Sequence, residues 1–385
     1  MALAACHQSH NLTGTPLLLQ QKAQKALETK NHEIGEGVAN HLMVTRANQH
    51  QNQGQNQGAL EQVLVWKQKS IKHLSAAIAN SDTQHKSAAI ATIFLLAILE
   101  MWETGWGIWY SHVEGAKNFI EDLHKTSSNE PAIDLKGMIA SISVYETFGA
   151  TVLRPGQLSK SLRSRLNSSD GACDLPITGC PSSIMDAIDF VNSQNQVESQ
   201  RLSQRVEENS FNPASISGLL ATLDDIDRFD AERYANDAHS SLAPGHMSME
   251  CFVHFCLAWK VAAKLYTTRV IFTITNMETH PLAPSVDKLI SHCKVVTREC
   301  PGIKCFVWPV FIAGVECDSQ TDREWVSSAL DQFWELYLGA NLKAVSSILK
   351  ILWGKRDAYR SCQGEHKWNW VRELHLLNVD LALGM

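Results

Sequence analysis

Apolar residues recur along this chain at steps of three and four, the period of an α-helix with one buried face. Leu60, Val63, Leu64, Ile71, Leu74 and Ile78 form a first stripe. From Ala88 to Trp102 the chain is apolar on every side, as in a helix at the centre of a core. The cleanest stripe follows, with Trp106, Trp109, Val113, Ala116, Ile120 and Leu123. Leu282, Val286, Leu289, Cys293 and Val296 make another. So do Val326, Leu330, Phe333 and Tyr337, and then Val345, Ile348 and Leu352. No segment alternates as a half-buried strand does. The best strand candidate, Arg269 to Thr275, continues the apolar pattern that begins at Cys251, and reads as the end of a helix. The pattern predicts an all-α protein, an irregular multi-helix array without significant sheet.

Polar and turn-rich stretches divide these helices. Residues 48–58, NQHQNQGQNQG, form a polar low-complexity linker that cannot pack a core. It separates N-terminal helices in residues 1–47 from a main domain over 59–385. Connections are expected at Lys125 to Pro131, Pro155 to Pro176, Ser193 to Pro213 and Ala238 to Met247.

Composition narrows the function. With 385 residues, 44% of them hydrophobic, the chain can bury a large core. Its net charge is −6 and its pI about 6.2, unlike a free-standing nucleic-acid binder. The densest basic groups, Lys67, Lys69 and Lys72, then Lys355 and Arg356, read as solvated helix faces. The apolar run of fifteen residues, Ala88 to Trp102, falls short of the roughly twenty that a membrane span needs. Met1 to His10 has no Lys or Arg ahead of its apolar patch, so no export leader is expected, and the ten scattered cysteines are expected to be reduced thiols.

Several groups of residues invite chemistry. Cys173 and Cys180, then Cys293, Cys300 and Cys305, have spacings found in zinc modules, but the C-x2-C partner is missing and Cys293 lies on an apolar stripe. Cys6, His7 and His10 lack a fourth ligand. Asp224, Asp225, Asp227 and Asp230 resemble the aspartate-rich magnesium motif of terpene cyclases, with Asn236, Asp237 and Ser240 imitating part of a second motif. Catalysis there needs carboxylates on two facing helices. These two sets are too close in sequence, and Pro244 stands where a glutamate belongs. Pairing of the run with Arg228 and Arg233 on a solvent-facing helix is the plainer reading. His112, beside the aromatic stripe, reads as a buried or capping histidine rather than a general base. The eleven tryptophans fit interhelical packing, or the wall of an apolar ligand pocket. No catalytic, cofactor-binding, metal-binding or DNA-binding residue is nominated.

Four ordered segments carry a resemblance. Trp109-Tyr-Ser-His112-Val-Glu-Gly115-Ala116 is similar to a W-x-x-H-L-x-G-A signature. Val144-Tyr-Glu-Thr-Phe-Gly-Ala150-Thr resembles the helix end that follows it, and Thr178-Gly-Cys180-Pro181, with Ile184 and Ile188, resembles a G-C-P turn and helix. Trp308-Pro309-Val-Phe-Ile-Ala313-Gly314-Val-Glu316, then Asp322-Arg323 and Trp353 with Lys355, Arg356 and Asp357, is similar to a W-P-x-F-x-A-G-x-E segment with its D-R pair. The pattern is that of the fungal-specific transcription factor domain, the regulatory middle region of fungal binuclear zinc-cluster factors. The resemblance implies a nuclear regulator of transcription, controlling a metabolic or secondary-metabolite gene set, with no enzymatic activity. The six-cysteine DNA-binding cluster usual in that family is not in this sequence. DNA contacts are therefore expected from elsewhere, and the expected partners are the transcription machinery or a DNA-binding partner protein. A small-molecule effector and a homodimer are options the resemblance leaves open. A membrane is not an expected partner, and no cofactor is implied.

Overall fold

A helix whose apolar residues cover most of its surface must be largely enclosed, and the longest helix is. In the computed structural model it spans Met249–Thr275, and 17 of its residues are buried, including Phe252, Phe255, Trp259 and Tyr266. The described residues are 65–76, 83–126, 133–163, 180–203, 212–242, 247–277, 282–301, 303, 306–361 and 368–383. They form thirteen helices: α1 (65–76), α2 (Thr83–Thr104), α3 (Trp109–Thr126), α4 (Ile133–Ala150), α5 (Ser182–Ser203), α6 (Pro213–Arg228), α7 (Ala231–Leu242), α8 (Met249–Thr275), α9 (Ala283–Glu299), α10 (Val307–Glu316), α11 (Gln320–Tyr337), α12 (Ala340–Ser361) and α13 (Trp370–Leu376). No strand occurs among the described residues. The isolated bridge between Trp106 and Leu381 is the extended pairing recorded there. The all-α expectation holds.

Two compact units share the chain. The first takes residues up to Ile142, Tyr337–Ile351 and Val379–Gly384. In it α2 packs against α3. Trp109, Val113, Ala116 and Ile120 of the α3 stripe are all 0–1% exposed. Trp106 falls outside the helix. Along α2, Ile90, Ile93, Leu96, Ala97, Leu99 and Met101 are buried, whereas Leu95 is 49% exposed. The enclosure predicted for this helix therefore has one open side. Gly115 is less demanding than its motif suggests, because an added Cβ would meet Ile93 Cγ2 at an ordinary 3.9 Å. Gly105 is demanding. Its φ is +75°, and a Cβ there would lie 2.7 Å from Ala340 O and Asn341 Cα. In α1, Ile71 is 48% exposed, so the predicted stripe does not define a buried face over the described residues. Residues 1–47, the linker 48–58, and Leu60, Val63, Leu64 and Ile78 lie outside the described residues.

The second unit comprises Ser143–Leu336 and Leu352–Asn378. Here α8 is the axis, packed against α5, α6, α7, α9, α10 and α13. Its ends follow from local chemistry. Ser248 accepts a hydrogen bond from the Cys251 N–H, an N-cap. Asn276 closes the other end in the left-handed region, φ 57°. Arg269 to Thr275 is therefore helix, as the apolar continuity implied. The stripes of α9, α11 and α12 are buried at Val286, Leu289, Cys293, Val296, Val326, Leu330, Phe333 and Leu352. Two connections were placed too early: α5 runs on to Ser203 and α7 to Leu242, so neither Ser193 nor Ala238 begins a loop. The second half of α5 is polar (SQNQVESQRLS), which hides a helix from hydrophobic periodicity.

Candidate functional site

Three of the four segments singled out in the sequence lie in the second unit, and the Trp109 segment in the first. Phe148 and Thr151, at the end of α4, reach Trp308 at the start of α10: the Phe148 and Trp308 rings lie 5.9 Å apart, and Trp308 Nε1 donates to Thr151 Oγ1 at 3.0 Å. Pro309 sits in the first turn of α10, where its missing N–H costs nothing. Cys180 is buried and Pro181 O accepts from Met185 N, which starts α5 and sends Ile184 and Ile188 inward. Behind Trp308, α8 supplies Trp259, stacked on it at 5.4 Å with 8° between the planes, and Tyr266, edge-on at 6.1 Å. These aromatics fill the core against one another.

The other end of α10 carries charge. Glu316 is 4% exposed. Arg269, in the C-terminal part of α8, grips it through two bonds, Nε to Oε1 at 2.8 Å and Nη2 to Oε2 at 2.5 Å. Trp370 Nε1 donates to the same Oε1 at 2.7 Å, and Arg269 Nη1 donates to Trp368 O at 3.0 Å. A carboxylate and a guanidinium out of water are tolerable only when paired in this way. The terminal carbonyls of α10, left without helical partners, are taken by α12: Arg356 Nη1 donates to Glu316 O and Cys317 O, and Trp353 Nε1 to Gly314 O. Arg356 also pairs with Asp318 at 2.5 Å, as Arg360 does at 2.7 Å. Arg323 holds Asp357 through two bonds of 2.7 and 2.8 Å and lies over the Trp353 ring. That pairing keeps the Asp357 carboxyl below its ordinary range. Asn369 caps α13 and donates to Thr273 Oγ1 at 2.9 Å. Lys355 pairs with Glu373 at 3.0 Å. Lys355 and Arg356 are therefore not a solvated basic face: Arg356 is 11% exposed and ties α12 to α10.

Sequence reasoning found Glu316, Asp322, Arg323, Trp353, Arg356 and Asp357 as motif letters. It missed Arg269, Asn369 and the role of Trp370. An arginine at an interior position of an apolar run was the signal for Arg269, since a buried guanidinium demands a carboxylate.

The remaining candidates are placed as follows. Lys67 is not a free basic residue. It bonds Glu103 at 2.7 Å and Glu100 at 3.1 Å, and these charges, overcoming burial, raise its pKa. Lys69 and Lys72 are exposed, as predicted. Half-buried His112 is held below its ordinary pKa by burial, with Glu100 opposing and Lys67 adding to the effect. The aspartate run does not face a second acidic helix. It is split between the end of α6 and the turn before α7. Asp225 bonds Arg228 at 2.9 Å with both side chains 73% exposed; Asp227 pairs with Lys264; Asp230 accepts the Arg233 N–H. Asn236 and Asp237 are exposed, and Ser240's side chain and Pro244 lie outside the described residues. Cys293 is buried in α9, and burial raises its thiol pKa. Cys300 meets Cys251 of α8 and not Cys293. Cys6, His7, His10, Cys173 and Cys305 are outside the described residues. Among the described residues no group of three or more His, Cys, Asp or Glu is arranged to hold a metal ion, and no helix is long and apolar enough to cross a membrane.

The aromatic core and its charged cap hold helices together; every charged group named in them is paired. No solved structure matches the chain. Among curated proteins, the acriflavine sensitivity control protein acr-2 of Neurospora crassa is 24% identical over 347 residues, which is 84% of this chain and 56% of that protein. The chain thus spans little more than half the length of this relative. A family model, the fungal specific transcription factor domain, matches residues 1–384, so the segments that meet on Trp308 and Glu316 are read in their family context and the chain belongs to the fungal-specific transcription factor domain family.

Proposed function

We propose that this chain is the regulatory region of a fungal transcription regulator. It acts in the nucleus on a metabolic or secondary-metabolite gene set, without catalysis of its own. The observation that supports this reading is the family match over residues 1–384, with the α4 end and the α10 segment packed together in the second unit. The acidic balance, net −6, argues that DNA contacts come from other residues than these. The partners are then the transcription machinery or a DNA-binding protein. The relative's name, a control protein of acriflavine sensitivity, fits a regulator of a chemical response.

The test is a tethering assay. Residues 1–385 are fused to an unrelated DNA-binding domain in a fungal host. Reporter output that rises or falls against the domain alone supports the reading. Output equal to the domain alone, from a folded and nuclear fusion, contradicts it.

A small-molecule effector is a second reading with its own observation. Trp259 Nε1 and Asn195 Oδ1 are buried and have no hydrogen-bond partner among the described residues. Both lie in the Tyr266 and Trp308 neighbourhood, Asn195 through a hydrogen bond with Tyr266. A ligand reaching them would have to offer an acceptor to Trp259 Nε1 and a donor to Asn195 Oδ1. Tryptophan fluorescence that saturates on titration with aromatic metabolites supports it; linear, non-saturating quenching contradicts it.

A further inference from the structure

The packing of α8 on α9 brings together two histidines that nothing above uses. His254 Nδ1 lies 2.9 Å from His292 Nδ1, with ring centroids 5.0 Å apart and planes at 57°. Both side chains are half-buried, so solvent reaches them. One ring must donate and the other accept, so both cannot be charged while the contact lasts. Lys288 lies one turn from His292 on α9.

We propose that His254 and His292 form a two-histidine clamp for a divalent transition metal of the copper or nickel class. Two nitrogens 2.9 Å apart, each at about 2.0–2.1 Å from one ion, subtend about 90° at it. That is the cis angle of tetragonal and square-planar sites, where Cu2+ and Ni2+ are most at home; tetrahedral Zn2+ requires a wider bite. Among first-row divalent ions copper binds such nitrogen sites most tightly. The step is ligand exchange. Two waters leave the aquo ion, both Nδ1 lone pairs enter, and the ring that carried Nδ1–H moves its proton to Nε2 through solvent. Water fills the remaining positions. Lys288 is the nearby charge that opposes binding. The clamp fastens α8, the axis of the second unit, to α9. It stands on its own geometry and is tested without transcription.

The test uses the purified full chain and Cu2+ alone. Equilibrium dialysis at saturating Cu2+ compares the wild type with His254→Asn, His292→Asn and the double variant. Each single variant is expected to bind one equivalent fewer than wild type, and the double variant no fewer than either single one. Unfolding midpoints in EDTA establish that the variants are folded. Independently, on the unaltered protein, Cu2+ is expected to protect the peptides carrying His254 and His292 from diethyl pyrocarbonate, read by mass spectrometry. An unchanged copper count in folded variants overturns the clamp, and so does equal modification of both histidines with and without Cu2+.

Discussion

At the residue scale, charge is placed with two different consequences. Glu316 and Arg269 are sealed, 2% and 5% exposed at their side chains, while Asp225 and Arg228 stand in solvent. Removing one member of a buried pair strands the other. Glu316→Ala should therefore cost about 3–5 kcal/mol, whereas Asp225→Asn should change stability by less than about 0.5 kcal/mol. Urea unfolding of the two variants checks both; equal losses would mean that Glu316 is not the keystone of the network. His375 provides a pH signature. Its Nε2 is buried without a partner among the described residues, and burial lowers its pKa from 6.5 to about 4. The unfolded chain therefore takes the proton first. Stability from this group is complete above pH 6.5 and is lost as pH falls toward 4, by roughly 3 kcal/mol at most. His375→Leu should flatten the denaturation profile over that interval; a profile as steep as wild type would contradict the assignment.

The element scale shows what hydrophobic spacing can and cannot reveal. The stripes of α3, α9 and α11 were legible because each helix presents one face to the core and the rest to water. The second half of α5 was not, because residues 193–203 are almost wholly polar. The stripe of α1 was read as buried, yet Ile71 is exposed. Of the charged cap, the α10 to α12 letters were legible as motif residues. Their pairing was not, since Arg269 and Glu316 are 47 positions apart and no local period links them. Caps are local and carry a local prediction. Ser248→Ala removes the acceptor of the Cys251 N–H at the head of α8 and should cost about 1 kcal/mol. In the first unit, Gly105 takes a positive φ with Ala340 O and Asn341 close by. Gly105→Ala should cost at least the roughly 1–3 kcal/mol of a strained backbone, and thermal melting checks both.

On the scale of the whole molecule, the four family segments divide between two compact units. The Trp109 segment belongs to the first, and the other three pack together in the second, around α8. Order of motifs along the chain was visible in the sequence; the meeting of the α4 end and the α12 letters with the two ends of α10 required the fold. The paired charges and packed aromatic core of the second unit are consistent with the regulatory role we propose.

The tethering assay with matched variants tests that claim most directly. Fused to an unrelated DNA-binding domain, the wild-type chain should change reporter output, Asp225→Asn should keep the change, and Glu316→Ala should lose it together with the fold of the second unit. Wild-type output indistinguishable from the DNA-binding domain alone, in a folded nuclear fusion, would contradict a regulatory role for this chain.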